Sequence, residues 1–428
     1  MSIFNTLESN VRSYCRSFPT VFDKAQGPHL MDENGRRYID FLSGAGSLNY
    51  GHNNPELKKH LIDYLERDGL VHGLDMSSVA KKEFLEAMRS HILFPREMDY
   101  KIQFSGPTGT NAVEAAMKLA RKVTGRTNII SFTNGFHGVT LGSVAATGNQ
   151  FYRDGSGAPL QNTSFMPYDG YLGRDVNTIE YIERFLQDGS SGVDLPAAMI
   201  VETVQGEGGV NVASMSWLRE LSSLCHRFDI LLIVDDIQVG CGRTGNFFSF
   251  EDASITPDIV VLSKSLSGYG LPFAVVLMKP ELDQWNPGEH NGTFRGHNLA
   301  FVTAAASIKT YWSNETIAAD ISKKGFILAE HINGIVKEWT DMKFNSRGRG
   351  MIWALDVVDG NLATAISKEA FERGLIIETC GSQGEVLKTL PSLLIEEDVL
   401  VEGLSILKES VEVVIDQQDK IEKQRNAS

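Results

Sequence analysis

Short apolar runs rich in valine and isoleucine alternate with longer segments of helical spacing through the middle of the chain. The apolar runs have the length of buried strands; they are residues 128–132, 198–201, 230–234, 259–262 and 273–278. Between them, apolar residues recur at the three- and four-residue spacing of a helix, as in 112–120 and 217–228. This alternation predicts an α/β fold, with a largely parallel sheet covered by helices.

The two ends of the chain differ from this middle part. Residues 30–40 have the pattern of a β-hairpin that turns at Glu33-Asn34-Gly35, because Asn-Gly suits a tight hairpin turn. After about residue 310, mixed helices and short strands return, and a chain of 428 residues is long for one core. We therefore expect two domains in three segments: 1–55 as the N-terminal part of a small domain, 56–310 as a large cofactor-binding domain, and 311–428 as the C-terminal part of the small one.

Charge and cysteine content narrow the class of protein. The formal net charge of −14 repels nucleic-acid phosphates and anionic membranes, so we expect neither partner. The four cysteines lie far apart, which suits neither a metal site nor a disulfide framework, and we expect no metal. The first ten residues lack the basic and apolar regions of a signal peptide, and no apolar run reaches the roughly 20 residues of a membrane span. These features favour a cytoplasmic protein.

Candidate chemistry lies where two of the predicted strands end. Lys264 comes just past the strand 259–262, before a turn rich in serine and glycine. A lysine so placed can form a Schiff base, although a solvated surface position is the commoner use of lysine. Asp235 directly follows the run 230–234, where a carboxylate can pair with a protonated pyridine nitrogen. Because ligands collect at the carboxyl ends of parallel strands, the two residues together indicate a pyridoxal phosphate enzyme.

Two further segments suit the same cofactor. Gly109 and Thr110 stand at the start of a predicted helix, where free N–H groups and the helix dipole can bind a phosphate. Alone, this loop would be an ordinary helix cap. Phe136 follows the strand 128–132 and can stack on a pyridine ring. Residues 240–245 match the spacing of a dinucleotide fingerprint, but they open no clear helix, so we interpret them as a turn.

The chain resembles the class III (subgroup II) pyridoxal phosphate aminotransferases over nearly its whole length. The resemblance is carried by blocks that are specific in combination: Asp40–His52, Thr108–Glu114, Phe136–Gly138, Glu202–Gly209, Asp235–Gln238 with Gly242–Gly245, and the segment around Lys264. It implies the type I fold of pyridoxal phosphate transferases, with a mostly parallel sheet covered by helices on both faces and a smaller α+β domain built from both chain ends. It also implies at least a homodimer, or a tetramer, with active sites at the subunit interface.

The resemblance implies a role for individual residues. Lys264 matches the Schiff-base lysine, which also moves the proton between cofactor and substrate, and Asp235 matches the partner of the pyridine nitrogen. The other implied cofactor contacts are the phosphate loop at Gly109 and Thr110, the stacking ring of Phe136, Gln238 beside the ring hydroxyl, and Thr293 from the other subunit.

The implied substrate contacts depart from the usual family pattern. Glu207 matches an acid that many relatives pair with a carboxylate-binding arginine, but Lys388 stands where that arginine is expected. Lysine lacks the planar guanidinium that binds a carboxylate twice. Val139 replaces a second arginine that several relatives carry. Arg295 is therefore our candidate for a carboxylate binder, with a surface salt bridge as an equal alternative.

Two segments, Leu7–Phe22 and Gly288–Ala300, resemble the branch of the family that serves ectoine biosynthesis. This resemblance implies transfer of the amino group of L-glutamate to L-aspartate 4-semialdehyde, which gives L-2,4-diaminobutyrate and 2-oxoglutarate. The alternatives are a 4-aminobutyrate transaminase, a siderophore-pathway diaminobutyrate transaminase, and an aminomutase on the same fold. A cofactor-binding regulator without enzymatic activity is disfavoured, because no DNA-binding segment is visible.

Overall fold

A computed structural model of the protein describes residues 3–426, with side chains as far as residue 420. Within this range the chain forms seventeen β-strands: β1 (Phe22–Gln26), β2 (His29–Asp32), β3 (Arg37–Asp40), β4 (Lys101–Phe104), β5 (Ile129–Phe132), β6 (Thr163–Met166), β7 (Ala198–Val201), β8 (Val204–Gln205), β9 (Asn211–Val212), β10 (Leu231–Asp235), β11 (Ile259–Leu262), β12 (Val275–Met278), β13 (Asn345–Arg349), β14 (Ile352–Asp356), β15 (Leu375–Ile376), β16 (Glu378–Cys380) and β17 (Val386–Thr389).

The same part of the chain forms fourteen α-helices: α1 (Ile3–Leu7), α2 (Tyr14–Ser17), α3 (Ser43–Gly46), α4 (Pro55–Glu66), α5 (Val79–Ala87), α6 (Gly109–Thr124), α7 (Leu141–Ala145), α8 (Gln150–Asp154), α9 (Thr178–Gln187), α10 (Met215–Arg227), α11 (Asn298–Tyr311), α12 (Thr316–Glu338), α13 (Gly360–Glu372) and α14 (Glu397–Asn426). No helix among residues 3–426 is both long enough and apolar enough to cross a bilayer.

The central sheet of the described chain has seven strands in the order β4-β12-β11-β10-β7-β5-β6. The five strands from β11 to β6 run parallel, whereas β12 lies antiparallel to both of its neighbours. Successive residues of a strand face opposite sides of a sheet. Ile259 and Val261 accordingly pack with α6 on one side, and Val260 and Leu262 face the main core on the other side, where α10 packs on β10. The observed architecture confirms the predicted mostly parallel sheet with helices on both faces.

Both ends of the chain contribute to a smaller sheet with the order β1-β2-β3-β15. The predicted hairpin forms here as the antiparallel pair β2–β3, and β15 pairs in parallel with β3, placing Leu375 beside Ile39. Strands from both ends of the chain thus share one sheet. The domain boundaries at residues 55 and 310 stay a prediction.

A third, antiparallel sheet has the order β13-β14-β17-β16. Its strand β17 is buried along its whole length, although it contains a lysine. The register of the pair β16–β17 places Glu378 directly opposite Lys388. A buried lysine requires compensating charge, and this cross-strand pairing brings part of that charge into the site described next.

Candidate active site

Lys264 lies just beyond the carboxyl end of β11, in a 3₁₀ turn over residues 264–267. Its backbone φ is +49°, in the left-handed region that costs a non-glycine residue on the order of 1–2 kcal/mol. The turn is held in place by Ser263 Oγ, which donates to the Phe273 carbonyl (2.8 Å), and by Ser265 Oγ, which donates to the Gly46 carbonyl (2.6 Å). Strain of this kind concentrates at functional positions.

Desolvation makes the ammonium form of Lys264 easier to deprotonate than that of an exposed lysine, because it lowers the pKa. Burial lowers the pKa of Lys264 below that of an exposed lysine, and the ammonium of Lys388 lowers it further, although Glu207 and Glu378 act in the opposite direction. A neutral amine is the nucleophilic form of lysine. The side chain is therefore suited to covalent chemistry at a carbonyl carbon.

Asp235 is the last residue of β10, beside Val261 of the neighbouring strand β11. Its Oδ2 lies 2.7 Å from His137 Nδ1, and both side chains are buried. Burial opposes a charge on His137, but the hydrogen bond to Asp235 outweighs it and raises the pKa of His137 above its usual value. His137 thus orients the carboxylate. The sequence prediction gives His137 no role; its place in the Phe136–Gly138 block was the available signal.

Gly109 and Thr110 form the first turn of α6, as predicted for a phosphate loop. The side chain of the N-cap residue Thr108 makes no capping hydrogen bond to the helix. The first N–H groups of a helix without such a cap are available to an anion. A Cβ at Gly109 would lie 2.8 Å from Ile237 Cδ1. Glycine therefore allows the start of the helix to approach the chain that follows Asp235.

Phe136 lines a cavity of about 570 Å³ together with Tyr152, Glu207 and Cys380, among other residues. The Phe136 backbone N–H donates to Glu202 Oε1 at 2.9 Å, and its ring meets that of Tyr152 edge to face, with centroids 5.2 Å apart. The ring therefore stands at a fixed position in a cavity of the size of a small-molecule site.

Glu207, Gln238, Glu378 and Lys388 form a polar group that we call the Lys388 cluster, in which all but the partly exposed Glu207 are buried. Lys388 Nζ donates to Glu207 Oε1 at 2.7 Å, and Gln238 Nε2 donates to the same oxygen at 3.0 Å. Lys388 Nζ also lies 3.2 Å from Glu378 Oε1. The structure thus brings three predicted site residues together and adds Glu378, which the sequence prediction omits. The signal for Glu378 was a lone carboxylate in the apolar segment 375–380.

The two carboxylates of the Lys388 cluster titrate differently. Burial would raise the pKa of Glu207, but Lys388 outweighs it and lowers the pKa of Glu207 to about 2. Burial raises the pKa of Glu378 to about 7, although the same ammonium opposes this shift. The difference follows from the geometry, because Glu207 has the shorter contact and two hydrogen bonds. Glu207 is therefore the principal counter-ion of Lys388.

Thr293 and Arg295 lie on the loop that precedes α11. Thr293 is exposed, and Arg295 is partly buried. In the described part of the chain, no hydrogen bond or ion pair joins either residue to Lys264 or to the Lys388 cluster, and Arg295 Nε and Nη1 have no hydrogen-bond partner. Neither residue joins the site through a contact within one subunit. Their roles stay predictions.

A family model and the similar sequences both identify the chain as similar to aminotransferases. The family model for class III aminotransferases matches residues 12–411. Diaminobutyrate–2-oxoglutarate transaminases of Bordetella parapertussis and Halomonas elongata are each 58% identical to the chain over 412 residues, which is 96% and 95% of this chain and 95% and 98% of those proteins.

Solved structures of aminotransferases have the same fold as this chain. The ornithine aminotransferase of Toxoplasma gondii, whose crystals contain pyridoxal phosphate at partial occupancy, superimposes with a TM-score of 0.83 at 26% identity, over 97% of this chain and 94% of that one. An aminotransferase of Bacillus anthracis shares the fold with a TM-score of 0.84 at 23% identity, over 96% of this chain and 99% of that one.

Proposed function

This chain belongs to the class III aminotransferase family, and on that premise we propose that it transfers the amino group of L-glutamate to L-aspartate 4-semialdehyde. The products are L-2,4-diaminobutyrate and 2-oxoglutarate. The observation that carries this proposal is the 58% identity, over nearly the full length, with transaminases named for that reaction. The partly buried lysine and the buried aspartate at neighbouring strand ends supply the chemistry that such a reaction needs.

Class III aminotransferases use pyridoxal phosphate, and the residues present fit it. A lysine with a lowered pKa, a buried carboxylate on the adjacent strand, and an uncapped helix start are the groups that its aldehyde, ring nitrogen and phosphate require. When bound, the cofactor supplies an electron sink for the bond broken at the substrate carbon. The residues that would hold it are Lys264, Asp235, Gln238, Phe136, Gly109 and Thr110, with Thr293 contributed by the partner subunit.

Each of the central residues performs a distinct task in this proposal. Lys264 Nζ holds the cofactor at rest and then moves the proton at the substrate carbon that carries the amino group. The Asp235 carboxylate holds a proton on the ring nitrogen, and His137 keeps that carboxylate in place. Lys388 is not free to bind a substrate carboxylate, because two carboxylates of the chain already flank it. Arg295 remains our candidate for that contact.

We place this reaction in ectoine biosynthesis, as part of the response to osmotic stress, in the cytoplasm. The family resemblance also supports a homodimer or tetramer. A siderophore-pathway diaminobutyrate transaminase would make the same product, so the identity of neighbouring genes distinguishes the two pathways.

A substrate panel tests the reaction. The purified protein with pyridoxal phosphate is given L-glutamate and either aspartate 4-semialdehyde or succinate semialdehyde, and the products are identified by mass spectrometry. We expect L-2,4-diaminobutyrate and 2-oxoglutarate in equal amounts, with aspartate 4-semialdehyde preferred. A preference for succinate semialdehyde would indicate a 4-aminobutyrate transaminase, and amination in the absence of glutamate would indicate an aminomutase.

A further inference from the structure

Glu378 is a buried carboxylate for which the chain supplies only part of a counter-charge. Glu378 exposes only 6% of its surface to solvent. Lys388 Nζ lies 3.2 Å from Glu378 Oε1, but this oxygen has no well-aligned hydrogen-bond partner in the described part of the chain. The same ammonium is closer to Glu207, with which it does form a hydrogen bond. One ammonium group is therefore shared by two carboxylates. A buried carboxylate with only a shared counter-ion is unfavourable unless another group donates a hydrogen bond to it or balances its charge.

The position of Glu378 relates this carboxylate to the cavity. Glu378 lies on β16, two residues before Cys380, so both side chains are on the same face of the strand. Cys380 and Glu207 line the cavity that also contains Phe136 and Tyr152. Burial raises the pKa of the Tyr152 hydroxyl, and Glu207 and Glu378 raise it further. The charge of Glu378 thus raises the pKa of Tyr152, in the wall of the cavity, and the pKa of Lys264.

The charge balance indicates which ligand group would complete the site. Lys388 carries one positive charge, whereas Glu207 and Glu378 carry two negative charges when both are ionised. An ammonium group entering beside Glu378 would balance this excess of negative charge. A ligand without an ammonium group in this region would leave the second carboxylate uncompensated, which is unfavourable in a closed site.

We propose that Glu378 binds the α-ammonium group of L-2,4-diaminobutyrate, and of the semialdehyde from which it is made, and so selects amino-acid substrates over 4-aminobutyrate and succinate semialdehyde. This proposal rests on the proposed function and assigns a specificity-determining residue to it. L-2,4-diaminobutyrate and 4-aminobutyrate have the same carbon chain, the same reacting terminal amine and the same carboxylate. They differ only in the α-ammonium group, so the ratio of their kcat/KM values isolates the interaction with Glu378.

The test is Glu378→Gln, which keeps the shape of the side chain and removes its charge. Loss of one charged hydrogen bond typically changes affinity by roughly ten- to a hundredfold. We expect the kcat/KM ratio of L-2,4-diaminobutyrate to 4-aminobutyrate to fall by about that factor, and Glu378→Asp to restore part of it. Calorimetric dissociation constants for the two amines, measured in the Lys264→Ala background with cofactor, should change in the same ratio without turnover.

A matched control is Asp356→Asn, which removes a carboxylate of the same sheet that forms an ion pair with Arg347 at 2.8 Å. We expect this variant to keep the wild-type ratio. An unchanged ratio in Glu378→Gln would overturn the role of Glu378 while leaving the proposed function intact. A wild-type protein that fails to use L-2,4-diaminobutyrate would instead overturn the proposed function itself. If circular dichroism shows that Glu378→Gln does not fold, Glu378→Ala, which also removes the charge, carries the test, and an unchanged ratio in that variant overturns the role.

Discussion

Glu378 and Lys388 face each other across the antiparallel pair β16–β17, and the ammonium of Lys388 lies 3.2 Å from the Glu378 carboxylate. Lys388 is fully buried, and its second partner is Glu207, at 2.7 Å. Burial by itself would lower the pKa of Lys388, but the two carboxylates outweigh it and raise the pKa well above its usual value. Lys388 therefore remains charged and joins the third sheet to the loop that carries Glu207.

Replacement of Lys388 by methionine should destabilise the protein strongly. It would leave Glu207 and Glu378 buried without their cation, and loss of one partner of a buried ion pair costs about 3–5 kcal/mol. Urea unfolding of the cofactor-free protein measures the loss. The control is Lys408→Met, which breaks an ion pair with Glu338 in which both side chains are nearly half exposed. That change should cost no more than about 1 kcal/mol, and equal losses in the two variants would contradict the role of Lys388.

Lys264→Ala should abolish transamination and leave the fold intact. The side chain makes no hydrogen bond among the described residues that would hold the turn; Ser263 and Ser265 do this instead. We expect an unchanged circular dichroism spectrum and a melting temperature close to that of the wild type. In the wild-type protein, borohydride reduction should attach the cofactor to the peptide containing Lys264, as read by mass spectrometry. Attachment at another lysine would refute the assignment.

Asp235→Asn should keep the cofactor bound but slow the reaction by orders of magnitude. The neutral amide no longer favours a proton on the ring nitrogen, so the electrons released at the substrate carbon are less stabilised. Single-turnover rates with L-glutamate, measured by absorbance, report this step apart from product release. Cofactor occupancy is determined from the same spectra. A near-normal rate at full occupancy would exclude Asp235 from this role.

The positions of Lys264 and Asp235 could be predicted because they depend on local pattern and one topological rule. The apolar runs 259–262 and 230–234 correspond to β11 and β10, the latter shifted by one residue. Parallel strands present their carboxyl ends at one edge of a sheet, so residues that follow two such strands lie on the same side. In the structure β10 and β11 are adjacent strands, so the residues that end them lie close together.

The roles of Glu378 and His137 could not be predicted in the same way. Glu378 is close to Lys388 in the sequence, but the charge balance around it depends on Glu207, and both Glu207 and the partner of His137 are distant in sequence. His137 contacts a residue 98 positions away, and Lys388 contacts Glu207 across 181 positions. The second contact depends on how the third sheet packs against the loop between β8 and β9, and the first on how the loop after β5 folds over the end of β10. Hydrophobic periodicity reports which face of an element is buried, but it carries no information about which polar side chains meet inside.

Asp236 should make stability depend on pH. It is buried, Oδ2 accepts from the Ser249 N–H at 3.1 Å, and burial raises its pKa from 3.8 to about 7. Above a pH of about 4 the unfolded chain loses this proton, whereas the folded protein keeps it up to a pH of about 7, so stability falls as pH rises through that window. Asp236→Asn removes this titration.

The measurement is urea unfolding of the wild type and of Asp236→Asn at a series of pH values. The unfolding free energy of the variant minus that of the wild type should rise between about pH 4 and about pH 7 and level off above that, at no more than about 1.4 kcal/mol per pH unit. The comparison at each pH cancels the other titrating groups that the two proteins share. A difference that stays constant over this range would show that Asp236 is ionised throughout.

Thr293 is expected to act on the active site of the partner subunit. Within its own subunit it is exposed, and so is the ring of Phe294 beside it, which meets only the edge of His72 at 5.3 Å among the aromatic contacts of the described residues. An exposed aromatic next to a predicted phosphate contact suits a subunit interface. Thr293→Asp should prevent cofactor binding, because its carboxylate would repel the phosphate.

Complementation between inactive proteins tests this arrangement. When Lys264→Ala is mixed with Thr293→Asp, a mixed dimer carries both lesions at one site and neither at the other if Thr293 acts in trans. Activity should then partly return after subunit exchange, which fluorescence energy transfer between labelled subunits can follow. If Thr293 acts within its own subunit, each site of the mixed dimer keeps one lesion, and activity stays absent although exchange is complete.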